Sequence, residues 1–234
     1  MRTLGLIGGM SWESTATYYE AVNKRVRERL GGLHSSKCII YSFDFEEIER
    51  LQKLGDWEAA TDLLCHAAAG LKQCGADGIV ICTNTMHKLA GPVQLRGGLP
   101  VLHIADATAA RIKKSNFTRV GLLGTRYTME QDFYKGRLVA KHGLEVVTPD
   151  APHRTLVHDV IYEELCNGIV RPESRQEYVK IIKSLQEKGA QGVILGCTEI
   201  GLLVKPGDVD LPLFDTTLIH AEMAADWAID GDMN

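Results

Sequence analysis

Gly75-Ala-Asp-Gly-Ile-Val-Ile-Cys-Thr-Asn-Thr85 and Gly189-Ala-Gln-Gly-Val-Ile-Leu-Gly-Cys-Thr-Glu199 are one segment written twice, 114 residues apart. Each copy opens on a Gly-Ala pair, passes through a short apolar run and ends on polar residues. Such a run, bounded by turn formers, predicts a buried β-strand with a polar carboxyl end. Two more pairs flank it in the same order. Gly5-Leu-Ile-Gly-Gly9 matches Gly121-Leu-Leu-Gly-Thr125 at an offset of 116, and Leu99-Pro-Val-Leu102 matches Leu211-Pro-Leu-Phe214 at 112. The helix expected after each glycine turn carries a tyrosine, Tyr18 and Tyr134, again 116 apart. Three matches at nearly constant spacing identify two copies of one structural half.

The rest of the chain keeps to that pattern. Apolar runs predict strands at 3–7, 37–43, 78–82, 101–104, 119–123, 145–148, 192–196 and 211–214. Between them, Trp57, Ala60, Leu64, Ala67 and Leu71 recur at helical spacing, as do Tyr178, Ile181, Ile182 and Leu185. Alternating strands and helices imply parallel sheets covered on both faces. The expected fold is α/β: two pseudo-symmetric domains, each a parallel sheet flanked by helices, with the active site in the cleft between them.

Composition narrows the function classes. Of 234 residues, 45% are hydrophobic and 24% charged, and the formal net charge is −4. An acidic balance without a basic face argues against a nucleic-acid partner. No apolar run reaches the roughly 18 residues that suggest a membrane span. The stretch from Leu4 to Met10 is broken by Gly5, Gly8 and Gly9 and lacks a cleavage site, so it reads as a first strand and the protein as cytoplasmic. The six cysteines form no C-x-x-C pair and the eight histidines no H-x-x-x-H, so no metal site is expected. Gly5-Leu-Ile-Gly-Gly-Met10 has neither the spacing of a dinucleotide fingerprint nor the lysine of a phosphate loop. The two glycine turns, the second at Gly124-Thr125-Arg-Tyr-Thr128, can still present backbone N–H groups to a carboxylate.

In open α/β sheets ligands bind beyond the carboxyl ends of the strands. The repeat sets Thr83 against Cys197, Asn84 against Thr198 and Thr85 against Glu199. Cys197 read as a small core residue fits poorly with the polar run that follows it. If the halves face each other, Thr83 and Cys197 approach one ligand from opposite sides. Racemisation needs that arrangement, because one group removes an α-proton and another delivers a proton to the opposite face. A thiol suits such proton transfer, since its ordinary pKa is about 8.5 and helix N-termini or neighbouring donors can lower it. Cys82, one residue before Thr83, points to the opposite face and packs in the core. Thr83 or Asn84 also reads as the cap of the following helix.

Gly-Leu-Ile-Gly-Gly-Met-Ser-Trp-Glu-Ser-Thr15, Cys-Thr-Asn-Thr-Met-His87, Leu-His-Ile-Ala-Asp-Ala-Thr108, Gly-Thr-Arg-Tyr-Thr-Met129 and Gly-Cys-Thr-Glu-Ile200 resemble the aspartate/glutamate racemase family over essentially the whole chain. The likeness is strongest to bacterial broad-specificity or L-aspartate/glutamate-specific members. It implies a PLP-independent racemase that uses no cofactor and forms a homodimer. It also implies a second domain inserted in the first: 1–99 with 208–234 as one domain, 100–207 as the other. One catalytic residue comes from each domain, with Cys197 serving the L-enantiomer.

The chain departs from the family at the other position, where the common Cys-Asn-Thr is Thr83-Asn84-Thr85. A hydroxyl is a much weaker acid than a thiol and a poor base unless activated. The D-side half-reaction is therefore expected to suffer while L-side proton removal survives. Analogy and position assign substrate contacts to Met10, Gln52, Asn84, Thr85, Thr125, Thr128, Thr198 and Glu199, with Arg50 the candidate partner for a distal carboxylate. Two alternatives remain open: a cysteine-dependent decarboxylase or isomerase on the same scaffold, and a non-catalytic amino-acid-binding protein.

Overall fold

The computed structural model describes residues 1–231. In chain order its elements are β1 (Leu4–Gly8), α1 (Trp12–Leu30), β2 (Cys38–Ser42), α2 (Phe45–Leu54), α3 (Trp57–Gln73), β3 (Gly78–Ile81), a 3₁₀ turn (Thr85–Leu89), α4 (Ala90–Gly97) and α5 (Ile104–Lys114). There follow β4 (Arg119–Gly124), α6 (Arg126–Glu130), α7 (Lys135–His142), β5 (Glu145–Val147), α8 (Ala151–Glu163), a 3₁₀ turn (Leu165–Asn167), α9 (Pro172–Glu187), β6 (Val193–Gly196), α10 (Ile200–Leu203), β7 (Leu213–Asp215) and α11 (Thr216–Asp230). No helix among the described residues is long and apolar enough to cross a membrane.

The described chain forms two compact α/β units, one of residues 1–103 with 220–231, the other of residues 104–219. All strand pairs are parallel, in the order β2-β1-β3 in the first unit and β5-β4-β6-β7 in the second. The duplication reaches the level of register. Gly5 pairs with Ile79 in one unit and Gly121 with Val193 in the other, and the sequence repeat puts the same residues in correspondence. Ile79 also makes an isolated parallel bridge to Val101, the counterpart of Val193 pairing with Leu213.

The strand expected at 101–104 is reduced to that bridge, because Ile104 already opens α5. The other expected strands form with ends shifted by one or two residues. The boundaries of the compact units fall later than the expected 99/100 and 207/208. β7 hydrogen-bonds to β6 and so stays with the second sheet, and only α11 returns. The halves exchange a helix: α5 follows the first unit's last strand-like segment yet belongs to the second unit, and α11 follows β7 yet joins the first from His220 onward.

Helix starts follow local capping. Ser11, Asp44, Asp56, Thr125 and Asp150 each accept a hydrogen bond from a backbone N–H two or three residues on, at the first turns of α1, α2, α3, α6 and α8. α3 buries Ala60, Leu64, Ala67 and Leu71, and α9 buries Tyr178, Ile181, Ile182 and Leu185, as their spacing predicts. The first sheet carries a core on each face. Ile7, Ile79 and Ile81 pack with α3, while Leu4, Leu6, Val80 and Cys82 pack with Tyr18 of α1 and Trp227 of α11. Where the first unit runs one helix of 19 residues after β1, the second has α6 and then α7, with Tyr134 at the N-cap of α7.

Candidate active site

β1 and β3 end side by side, and so do β4 and β6, with Gly124 paired to Gly196. Thr83 and Cys197 are the first residues beyond each third strand to reach solvent. β3 and Cys82 are buried and Thr83 is half-buried; β6 is buried and Cys197 is half-buried. Alternation along the strand sends Cys82 the other way, into the core with Val80 and Trp227, where burial pushes its thiol far up. Cys82 is therefore no substitute for a reactive thiol at position 83.

The second unit gathers five of the assigned residues. Cys197 Sγ lies 2.9 Å from Glu199 Oε2, and Thr198 Oγ1 donates to the same oxygen at 2.7 Å. Glu199 is buried, and it ends the loop as the N-cap of α10. Thr125 caps α6 by accepting from the Thr128 N–H, and their hydroxyls are 3.2 Å apart. Thr128 lies across the strand ends: a Cβ on Gly196 would meet its Cγ2 at 3.3 Å, and one on Gly124 its Cβ at 3.2 Å.

The Cys197 thiol sits well above the ordinary thiol range. Burial is the largest cause, and the charges of Glu199 and of neighbouring Cys166 add to it. The net shift is upward, although a helix N-terminus or neighbouring donors can lower a thiol. The sulfur's close side-chain neighbour is a carboxylate, so the resting residue is a thiol donating to Glu199.

The first unit holds the remaining five. Met10 is buried in one core cluster with Ile48, Leu51, Ile81 and Met86. Gln52 on α2 is buried and donates through Nε2 to Met86 Sδ at 3.1 Å, which brings it against the turn that holds Asn84 and Thr85. Asn84 occupies the N-cap of that turn without a side-chain cap bond, so the expected capping role does not fall to its side chain. Arg50 is exposed on α2.

In the first glycine turn, Gly9 N–H donates to Thr15 Oγ1 at 2.8 Å rather than standing open for a ligand. Gly9 has φ 82°, and a Cβ there would meet Phe43 O at 2.2 Å, so only glycine fits. Ser11 and Ser14 repeat the Thr125/Thr128 device: Ser14 N–H donates to Ser11 Oγ, and the hydroxyls are 3.2 Å apart. These serines were missed at the sequence level. The offset of 114 that relates Thr83 to Cys197 also relates them to Thr125 and Thr128 and would have found them.

A second group was given no role at the sequence level, although His87 and His103 lie in two of the stretches quoted there. His87, His103 and His220 are buried together below Thr83, with ring centroids 4.7 Å apart for His87 and His103 and 5.5 Å for His87 and His220. His87 Nδ1–H donates to the Thr83 carbonyl at 2.7 Å. His220 Nε2–H donates to the Leu102 carbonyl at 2.7 Å, and its Nδ1 accepts from Tyr18 Oη at 2.8 Å.

Fold and site together define a duplicated α/β scaffold with Thr83 and Cys197 at equivalent strand ends of its two halves. A model of the Asp/Glu/Hydantoin racemase family matches residues 7–224, and the chain belongs to that family. A crystal structure of a candidate Asp/Glu racemase from Yersinia pestis is 58% identical, with a TM-score of 0.92, covering 98% of this chain and 100% of that one. An aspartate racemase homologue from Pyrococcus horikoshii OT3 is 36% identical, with a TM-score of 0.84 over 98% and 100% of the two chains. The broad specificity amino-acid racemase RacX of Bacillus subtilis is 22% identical over 225 residues, 94% of this chain and 95% of that protein. The family is one of isomerases that work on amino acids and related molecules without PLP.

Proposed function

We propose that the protein racemises L-aspartate, L-glutamate or a close relative by two-base α-proton transfer, with Cys197 on the L side and Thr83 on the opposite face. The observation that carries this is the unequal equipment of two equivalent positions. Both follow a buried strand, but among the described residues only Cys197 has an acid/base partner, Glu199, at 2.9 Å. In the L-side half-reaction the thiol passes its proton to the Glu199 carboxylate. The thiolate then takes the α-proton and the substrate becomes a carbanion. Thr83 completes inversion by delivering its hydroxyl proton from the other side; the alkoxide left behind takes a proton from solvent and Glu199 releases the one it accepted. A hydroxyl does so slowly, so the carbanion is more often reprotonated by Cys197 and returns to the L-form.

Enantiomers have equal free energy, so net racemisation has the same kcat/KM from either side. The asymmetry appears only in proton exchange. Met10, Gln52, Asn84, Thr85, Thr125, Thr128 and Thr198 are assigned to holding the substrate, and the working form is assigned to a cytoplasmic homodimer, on the family resemblance.

The test is proton NMR of L-aspartate and L-glutamate in heavy water. Wild-type protein is expected to erase the α-proton signal, and Cys197→Ala to slow this by at least about a hundredfold. Exchange that survives Cys197→Ala would remove Cys197 from the mechanism. Carbon dioxide release from a disubstituted malonate, without exchange of either amino acid, would instead mark a decarboxylase.

A further inference from the structure

We propose that His87 is the positioning residue of the Thr83 side, holding that residue's main chain through Nδ1–H···O=C so that its hydroxyl keeps one place at the strand end. The inference rests on the assignment of Thr83 to the D-side step. His87 belongs to the Cys-Thr-Asn-Thr-Met-His stretch but has had no role in the chemistry so far.

A buried histidine costs desolvation unless its nitrogens are used. Here the 2.7 Å bond to the Thr83 carbonyl uses Nδ1, and a carbonyl can only accept, so Nδ1 carries the proton. The ring cannot swing away, because His103 packs on it at 4.7 Å and His220 at 5.5 Å. His220 is itself tied at both nitrogens, to Leu102 and Tyr18. A chain of fixed rings thus runs from the end of β3 to the inner faces of α1 and α11.

The other half shows that this is an addition and not a requirement of the fold. The offset that relates Thr83 to Cys197 relates His87 to Gly201, and the 112 offset of the Leu-Pro match relates His103 to Asp215. The contact between the two positions is kept there, since a Cβ on Gly201 would lie 2.9 Å from Asp215 Oδ2. The imidazole is not kept. Cys197 is held instead through its own side chain, by Glu199. One half orients its acid/base residue through the side chain and the other through the main chain. A threonine that has no carboxylate partner among the described residues needs the second device more.

The experiment compares His87→Leu, which keeps bulk but removes the donor, with His87→Asn, whose amide N–H takes the place of Nδ1–H. α-Proton loss is followed separately from D-aspartate and from L-aspartate in heavy water. For His87→Leu the D-side kcat is expected to fall tenfold or more, with KM moved less than twofold and L-side exchange within twofold of wild type. His87→Asn is expected to recover most of the D-side rate.

Equal loss on both sides would show a merely structural histidine and overturn the proposal, as would an unchanged D-side rate. If His87→Leu does not fold, His87→Gln replaces it, its amide lying one bond too far; Asn and Gln behaving alike would equally overturn it. Wild-type protein that exchanges neither enantiomer would bring down the racemase assignment and this inference with it. L-side exchange with an insensitive D side brings down this inference alone.

Discussion

With Glu199 Oε2 2.9 Å from its sulfur, Cys197 rests as a thiol. A cysteine flanked by donors would rest as a thiolate; this one shares its proton with a carboxylate, and its titration lies above the ordinary thiol range. Replacing Glu199 with Gln removes the negative charge that opposes thiolate formation. The difference in absorbance at about 240 nm between the protein and its Cys197→Ser variant follows that thiolate. Its midpoint is expected to move to lower pH in Glu199→Gln, and a midpoint that stays or rises would remove Glu199 as a cause. The same substitution takes away the proton acceptor, so L-side exchange is expected to slow although the thiolate becomes easier to form. The thiol was legible as a catalytic candidate from its polar strand end. Its partner was legible only as a neighbour in sequence, because Cys-Thr-Glu does not say that the Glu side chain folds back onto the sulfur.

Turns and helices set these residues in place, and two of them carry separable predictions. Gly9 lets β1 turn tightly beside Phe43, and Gly9→Ala forces a side chain against Phe43 O. A loss of about 2 kcal/mol is expected from urea unfolding. α11 brings His220 into the first unit, fully buried and neutral, its pKa lowered to about 3, first by burial and then by His87. The folded pKa lies below the unfolded value near 6.5, so the stabilisation is complete above pH 6.5 and is lost as pH falls from there towards 3. Between about pH 6.5 and pH 5 this group alone is expected to cost about 2 kcal/mol, and His220→Gln to flatten that part of the stability profile. An equally steep profile in the variant would place the acid sensitivity elsewhere. None of this could be read ahead: His87, His103 and His220 are spread over more than half the chain, and only the return of α11 brings the third to the other two.

Over the whole molecule, duplication made the fold legible. Matching segments predicted parallel sheets in both halves, and the shared register of Gly5 with Ile79 and Gly121 with Val193 follows from the same alignment. The helix exchange was less legible. Repeats record which segments are alike and not which unit each packs into, so the return was expected at 208 while β7 stays with β6. The duplication also exposes the asymmetry that defines the molecule. One frame holds Cys197 with a carboxylate partner, and the other holds Thr83 clamped by a histidine. The most direct test is a time course of L-aspartate in heavy water with chiral separation of the products. Deuterated L-aspartate is expected to accumulate well before D-aspartate, because the Cys197 thiol, once its captured α-proton has exchanged with solvent through Glu199, returns a deuteron faster than Thr83 delivers one. Deuterium appearing at equal rates in both enantiomers from the first turnovers would contradict an unequal pair of acid/base residues.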